Sequence, residues 1–236
     1  MRVSVVVPCF NEEKRIDLRS FEDFLSSNPN YKIIFVNDGS TDNTLSVLGE
    51  LAQKSSSVHI INLENNVGKA EAVRQGMLYS FNQGAEISGY FDADLATPLS
   101  EIPRLVEVLE SDSSIDIVMG SRVNLLGRDI QRKPIRHYLG RVFATMASII
   151  LKIPVYDTQC GAKFFRSNSA VKSSFDDSFT VKWTFDVLLL KRYLKAGDIS
   201  KIYELPLNRW VDVAGSKVKP TDFLKAILEL YKIHIS

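Results

Sequence analysis

Short β-branched runs alternate with amphipathic stretches through the first half of this chain, and that alternation limits the fold more than any other feature. Val3–Val7 is a short β-branched run stopped by Pro8, and Lys32–Val36 and Val58–Leu63 are the second and third strands. Gly89-Tyr90-Phe91 and Ile115–Met119 follow as further strands. Short runs this rich in apolar and β-branched residues mark buried strands. Between them lie helical segments. Glu12–Ser27 carries Ile16, Leu18, Phe21, Phe24 and Leu25 at helical spacing, and Thr41-Asp42-Asn43-Thr44 offers N-cap chemistry for a helix through Gln53. Gly68–Gln83 and Pro98–Ser111 complete the series. The order βαβαβαβαβ predicts an α/β fold: a mostly parallel sheet flanked by helices.

The second half is less periodic. Ser121–Arg136 reads as a long polar loop and Tyr138–Leu151 as an apolar helix. A strand is expected at Phe164–Arg166, a helix at Val181–Lys195, a strand at Ile202–Trp210 and a terminal helix at Thr221–Ile233. With no internal repeat, linker or low-complexity segment, one compact domain is expected over 1–236, with two functional halves, 1–120 and 121–236.

Composition narrows the function classes. Twenty-nine basic residues against 28 acidic leave a formal charge of +1, so no nucleic-acid partner is expected. Cys9 and Cys160 are the only cysteines, which argues for a reducing compartment and a cytoplasmic location. The longest stretch free of Asp, Glu, Lys and Arg is 11 residues, Gln75–Ala85, too short for a spanning helix. Val3–Val7 leads into Pro8 and acidic residues, so the start does not read as a signal peptide. His59, His137 and His234 have no metal-ligand spacing.

Ligands of open α/β sheets bind beyond the carboxyl ends of the strands. Three polar clusters fall there: Pro8–Glu12, Asn37-Asp38-Gly39-Ser40 and Asp92-Ala93-Asp94. Each alone is compatible with turn chemistry, but topology makes the three converge. Extended backbone puts Asp92 and Asp94 on one side, and two hard carboxylates suit Mg²⁺ or Mn²⁺, with the remaining ligands from water and substrate phosphates. Gly68-Lys69 is not a P-loop, because Ala70 stands where Ser or Thr is required. A lysine at a helix start can still meet a phosphate.

The motifs Val5-Val6-Val7-Pro8-Cys9-Phe10-Asn11-Glu12-Glu13, Val36-Asn37-Asp38-Gly39-Ser40-Thr41-Asp42, Asn66-Val67-Gly68-Lys69 and Phe91-Asp92-Ala93-Asp94 occur in this order. Together they resemble family 2 glycosyltransferases of the GT-A fold. Met119-Gly120-Ser121-Arg122, Asp157-Thr158-Gln159-Cys160-Gly161-Ala162-Lys163-Phe164-Phe165, Trp183-Thr184-Phe185-Asp186 and Gly215-Ser216-Lys217 narrow the resemblance to polyprenyl- and dolichyl-phosphate sugar transferases, most closely the dolichyl-phosphate β-glucosyltransferases.

That resemblance implies a nucleotide-sugar site in the first half. Pro8 and Glu12 would lie by the nucleoside, Asp38 would accept a hydrogen bond from the base, and Lys69 would lie near base or phosphates. Asp92 and Asp94 would hold the metal on the diphosphate. The donor would be a UDP-sugar, UDP-glucose first, although Asn37 replaces the first of two acids often seen before Gly-Ser. The second half would present the lipid phosphate. Six basic residues, Arg122, Arg128, Arg132, Lys133, Arg136 and Arg141, face one acid, Asp129, between 122 and 141. Arginine forks suit phosphate, and the apolar Val142–Leu151 that follows suits a membrane surface. This places the enzyme peripherally at the cytoplasmic face.

Asp186 matches the usual family base, with Asp157 a second candidate; either alternatively organises the site by binding the sugar, Arg122 or a basic-loop residue. Gln159 is a substrate contact or a packing residue. Cys160 has no neighbouring histidine and is not a nucleophile. Lys217 sits in a stretch that could close over the diphosphate. The rival readings are transfer to a glycan hydroxyl, which needs a true base, and a catalytically silent nucleotide-sugar-binding protein.

Overall fold

The computed structural model describes residues 1–213 and 220–235. A seven-stranded sheet has the order β3-β2-β1-β4-β7-β5-β8. Its strands are β1 (Val3–Cys9), β2 (Tyr31–Asp38), β3 (Val58–Leu63), β4 (Ile87–Phe91), β5 (Ile117–Ser121), β7 (Ala162–Arg166) and β8 (Ile202–Pro206). All neighbours pair parallel except β7, which is antiparallel to both β4 and β5. The chain winds from β1 outward to β3, then returns to place β4 on the other side of β1. This reversal opens a crevice at the carboxyl ends of β1 and β4, where α/β sheets bind ligands.

Period-2 alternation divides the core into two layers. Val3, Val5 and Val7 point into one, with Phe21 and Phe24 of α1 (Leu18–Ser27), Leu48 and Leu51 of α2 (Thr44–Lys54), and Ile102 and Leu105 of α4 (Glu101–Ser111). Val6, Ile34 and Tyr90 point into the other. There they meet α3 (Lys69–Asn82), α5 (Pro134–Leu151), α7 (Phe185–Ala196) and α8 (Pro220–Ile235); a short helix, α6 (Ser169–Ser173), adds Val171.

Four boundaries differ from the sequence expectation, each for a tertiary reason. The first helix begins at Leu18 instead of Glu12, because Asp17 caps it through Ser20 N–H at 3.1 Å and Glu12 N–H is taken by Thr44 Oγ1 at 2.8 Å. The expected loop 121–136 contains a short strand, β6 (Asp129–Gln131), and the first turn of α5, which opens on Pro134. The expected strand 202–210 breaks in two: Leu207 N–H turns to Ser121 O at 3.0 Å and Asn208 N–H to Glu101 Oε1 at 3.1 Å. The second piece, β9 (Arg209–Val211), pairs with β6 in a separate parallel ribbon. The expected helix 181–195 starts at Phe185, since the amides of 182–184 bond outward to Glu229.

Helix α5 packs Phe143, Ala144, Ala147 and Leu151 inward and leaves Ile135, Tyr138, Val142 and Ile149 exposed. Helix α8 buries Ala226, Leu230 and Ile233 and exposes Leu228, Tyr231 and Ile235, so core packing of the terminal helix accounts for one face only. Among the described residues no helix is long and apolar enough to cross a membrane.

Candidate active site

The ends of β2 and β3 are joined through Asp38. Its Oδ1 accepts the Val67 N–H at 2.7 Å and its Oδ2 the Gly68 N–H at 3.0 Å, with Asn66 Nδ2 at 3.1 Å. Burial pushes the Asp38 carboxyl up, against the pull of those two amides. Its carboxylate is therefore the strut of the 66–68 turn. Gly39, at φ +60°, lies so close to the Asn65–Asn66 backbone that a Cβ would stand 2.9 Å from Asn65 Cα, so only glycine fits there. At the end of β1, Asn11 Oδ1 accepts the Thr41 N–H at 2.9 Å, tying the first two strand ends together. Pro8 lies within β1, paired with Val36, and Glu12 is buried beside Arg15.

The turn held by Asp38 starts α3 and delivers Lys69 to Asp92, whose Oδ1 accepts its ammonium. Burial lowers the Lys69 pKa, but the charges of Asp92, Asp186 and Asp94 outweigh it and hold the ammonium above its ordinary range. Asp94 accepts the Ala96 N–H at 3.1 Å and faces Arg15 Nη2 at 3.6 Å. Burial, then the neighbouring Asp92, raises the Asp94 carboxyl. Two adjacent oxygen ligands burdened by mutual repulsion fit a hard divalent cation, which would take its other ligands from diphosphate and water. Among the described residues no group of three His, Cys, Asp or Glu side chains is gathered in one place.

Asp92 also touches the second half of the chain. Its N–H donates to Gly161 O at 3.0 Å. All three carboxylate-group atoms of Asp92 lie within 2.5 Å of where a Cβ on Gly161 would sit. The antiparallel β7 thus brings the 157–163 segment directly against the paired acids.

Asp186 stands in the first turn of α7, buried, and its Oδ1 accepts both Lys163 Nζ at 2.6 Å and the Tyr90 hydroxyl. Lys163 is fully buried and donates to Cys160 O at 2.6 Å as well. The Tyr90 hydroxyl, desolvated and facing Asp186, is held well above its ordinary pKa and stays a donor. Sequence reasoning had no role for Lys163 or Tyr90. Lys163 is the stronger sequence signal, an ionisable residue between the apolar Ala162 and Phe164-Phe165 of its strand. Cys160 is raised to about 11 by burial, consistent with an inert thiol.

Arg122 leaves β5 and is gripped by Asp157 through Nε at 2.6 Å and Nη2 at 2.8 Å, with its backbone N–H on the same carboxylate at 3.1 Å. Asp157 is placed in turn by Glu204 of β8, which accepts the Tyr156 and Asp157 N–H groups, each at 2.8 Å. Burial opposes the Asp157 charge, but Arg122 prevails and holds its pKa down at about 2. Both Asp157 oxygens are thus committed to Arg122, and the carboxylate fixes the position of that guanidinium. Arg122 lies over the Trp210 ring at 5.3 Å, and it is close enough to Asp92 to feel its charge.

Burial and the charge of Arg122 push the Arg132 guanidinium below its ordinary pKa. Two like charges that feel each other create a preference for an anion nearby. Arg132 and His137 line a hollow with Asn124, Ile130, Pro134 and Tyr138. Other basic residues are engaged elsewhere: Arg136 with Asp212 at 2.6 Å, and Arg141 with Tyr156 O at 3.0 Å. Arg128 is half-buried in the loop before β6, where its N–H meets Leu125 O at 3.1 Å. Gln159 N–H donates to Asp157 Oδ1 at 3.1 Å, and its side-chain Nε2 is a buried donor with no hydrogen-bond partner. Lys217 lies outside the described residues.

The profile of Glycosyl transferase family 2 matches residues 4–172. The chain is 34% identical over 242 residues to the dolichyl-phosphate beta-glucosyltransferase ALG5C of Trichomonas vaginalis, covering 98% of this chain and 70% of that protein. It is 33% identical to the human dolichyl-phosphate beta-glucosyltransferase, over 93% of this chain and 70% of that protein. Among solved structures, the glucosyl-3-phosphoglycerate synthase of Mycobacterium tuberculosis in complex with Mn²⁺, UDP-glucose and phosphoglyceric acid superposes with TM-score 0.70 at 20% identity, covering 98% of this chain and 79% of that one. At that identity the likeness is one of fold. With its motifs assembled at one sheet edge, the chain belongs to glycosyl transferase family 2.

Proposed function

We propose that this enzyme moves glucose from UDP-glucose to a dolichyl or other polyprenyl phosphate, inverting the anomeric centre. The similarity to dolichyl-phosphate beta-glucosyltransferases over nearly the whole chain supports donor sugar and acceptor class. The observation that carries the chemistry is the meeting, at Gly161, of an acidic edge from the first half with a cationic one from the second.

The acidic edge is the donor side and residues 1–120 its scaffold. Asp92 and Asp94 would hold Mg²⁺ or Mn²⁺. A divalent cation there supplies Lewis-acid neutralisation of the diphosphate as the glycosidic bond breaks. Lys69, kept cationic among three acids, adds a second positive charge at the same edge. Pro8, Glu12 and the Asp38 turn border the nucleoside side. Because both Asp38 oxygens already hold amides, its part is to set the turn as much as to meet the base.

The cationic edge, from residues 121–236, is the acceptor side. Arg122 and Arg132, with Arg128 flanking, would bind the lipid phosphate, Arg136 being held by Asp212, and Gln159 Nε2 offers a donor needing an acceptor. The phosphate oxygen attacks C1 from the face opposite UDP; the C1–O bond to UDP breaks as the new bond forms. An anionic nucleophile needs little help from a base, so alignment and charge compensation do most of the work. Asp186, pinned by Lys163 and Tyr90, then serves to orient sugar or acceptor. The exposed apolar residues of α5 beside this basic segment support peripheral binding to the membrane that holds such lipids.

Transfer of label from radioactive UDP-glucose, GDP-mannose or UDP-N-acetylglucosamine into the organic phase, with and without metal and a short polyprenyl phosphate, tests this reading. Label from UDP-glucose alone, dependent on both, is expected. Asp186→Asn should retain measurable turnover. Its complete loss, with transfer to a hydroxyl acceptor, would overturn the phosphate-acceptor assignment.

A further inference from the structure

We infer that Glu229 of the terminal helix is a positioning residue for Asp186, acting as a clasp on the turn that starts α7. The inference rests on the part given to Asp186 above.

The four amides at a helix start lack partners within the helix. In α7 the N-cap Thr184 makes no side-chain cap of its own. A carboxylate from 45 residues downstream instead holds the turn that leads into the helix, up to and including the N-cap amide. Glu229 Oε1 accepts the Lys182 N–H at 3.0 Å, and Oε2 accepts Trp183 N–H at 2.9 Å, Thr184 N–H at 3.0 Å and Thr184 Oγ1 at 3.0 Å. Three consecutive amides and a hydroxyl thus converge on one side chain. Its negative charge also sits at the positive end of the α7 dipole. The contact is reciprocated, since Lys191 of α7 donates to Ile233 O near the end of α8.

Asp186 is two residues past this turn. Its bonds to Lys163 and Tyr90 reach across from β7 and β4, whereas its backbone depends on where α7 begins. Without the clasp, amides 182–184 must find water or extend the helix backwards, and either moves Asp186 relative to Asp92. Helix α8 packs on α5 and α7, on the acceptor half of the chain, so nucleotide binding should be indifferent to it. Misplacing a reacting group by about 1 Å costs roughly 100-fold in rate.

The test compares Glu229→Ala, Glu229→Gln and Leu230→Ala in the full chain, each assayed for transfer and normalised to its folded fraction by circular dichroism. Leu230 is fully buried on the same helix and loosens α8 without touching the turn. Glu229→Ala is expected to lower kcat 10- to 100-fold with the KM for UDP-glucose unchanged. Glu229→Gln, whose amide oxygen can keep the three Oε2 bonds, should recover most of the rate, and Leu230→Ala should lower Tm and spare kcat. Amide hydrogen exchange at 182–184 should accelerate in Glu229→Ala and not in Leu230→Ala. Should Glu229→Ala fail to fold, Thr184→Val removes one of the four bonds and should give a smaller fall in kcat with faster exchange at 184.

Equal kcat in Glu229→Ala and Leu230→Ala, unchanged exchange, or a Glu229→Gln rate as low as that of Glu229→Ala would overturn the clasp; if Thr184→Val has to stand in, an unchanged kcat does the same. Absence of transfer by the unsubstituted enzyme would instead sink the proposed reaction, and the exchange measurement would still decide whether Glu229 holds the turn.

Discussion

Gly161→Ala offers the sharpest test of the site, because its consequence follows from geometry. The added methyl would sit with all three carboxylate-group atoms of Asp92 inside 2.5 Å, whereas ordinary contact begins at 3.4 Å. Even the most distant of them must therefore retreat by about 1 Å, and the nearer ones by more. The obstacle is the end of a short side chain, so the backbone need not rearrange; the Asp92 N–H bond to Gly161 O can survive while the carboxylate swings off. Swinging breaks the Lys69 contact and separates Asp92 from its position beside Asp94. The fold should lose only about 1 kcal/mol, a Tm change of roughly 2–4 °C for a chain of this size. Activity should fall about 100-fold or more, the usual consequence of a 1 Å misplacement, and the metal concentration for half-maximal rate should rise. Label transfer across a Mn²⁺ titration, with thermal unfolding on the same samples, measures both. A variant within about threefold of the parent, with unchanged metal half-saturation, would refute the placement of Asp92 at the reacting centre.

The remaining predictions concern the charges. Lys163→Met leaves Asp186 buried with only the Tyr90 hydroxyl, and loss of one partner of a buried pair should cost about 3–5 kcal/mol in urea unfolding; adding Asp186→Asn should recover much of that, and a purely additive double variant would contradict the pairing. Asp157 has its pKa depressed to about 2 from 3.8, so its stabilisation is complete above the unfolded value and disappears as pH falls from about 4 to about 2. That component, about 2 kcal/mol, should be missing from the acid limb of Asp157→Asn when unfolding free energies are compared across that window. Chelation of divalent metal should abolish transfer, with Mn²⁺ or Mg²⁺ restoring it; Asp92→Asn and Asp94→Asn should each need at least about tenfold more metal, and full activity in chelator would remove the metal from the scheme.

Much of the fold is visible in local pattern. Runs rich in apolar and β-branched residues, such as Val3–Val7 and Lys32–Val36, mark buried strands, and the polar residues after each must lie at one edge of a parallel sheet. That logic reaches Asp38, Asp92 and Asp94 without coordinates, and composition concentrates basic charge between 122 and 141. The resemblance added Asp186, Asp157 and Gln159. The helix starts at Glu12 and Val181 were misplaced by the same kind of cause: a backbone amide found a partner far along the chain, Thr44 for Glu12 and Glu229 for the 182–184 turn.

Tertiary structure alone decided how these residues act. Periodicity reports which face a side chain occupies, but not which distant group it will meet there. Strand β7 enters antiparallel between β4 and β5, and this single choice of direction sets Gly161 against Asp92 and Lys163 against Asp186. From sequence Asp157 reads as either a second base candidate or a residue that binds Arg122; the fold brings the two into a bidentate pair that holds Arg122 as a fixed fork. Alternating strands and helices, the paired acids and the basic segment belong to the sequence by itself, because each follows from short-range spacing. The buried Lys163–Asp186–Tyr90 cluster and the Glu229 clasp arise only on folding, where desolvation obliges every charged group to find a partner wherever the topology has put one.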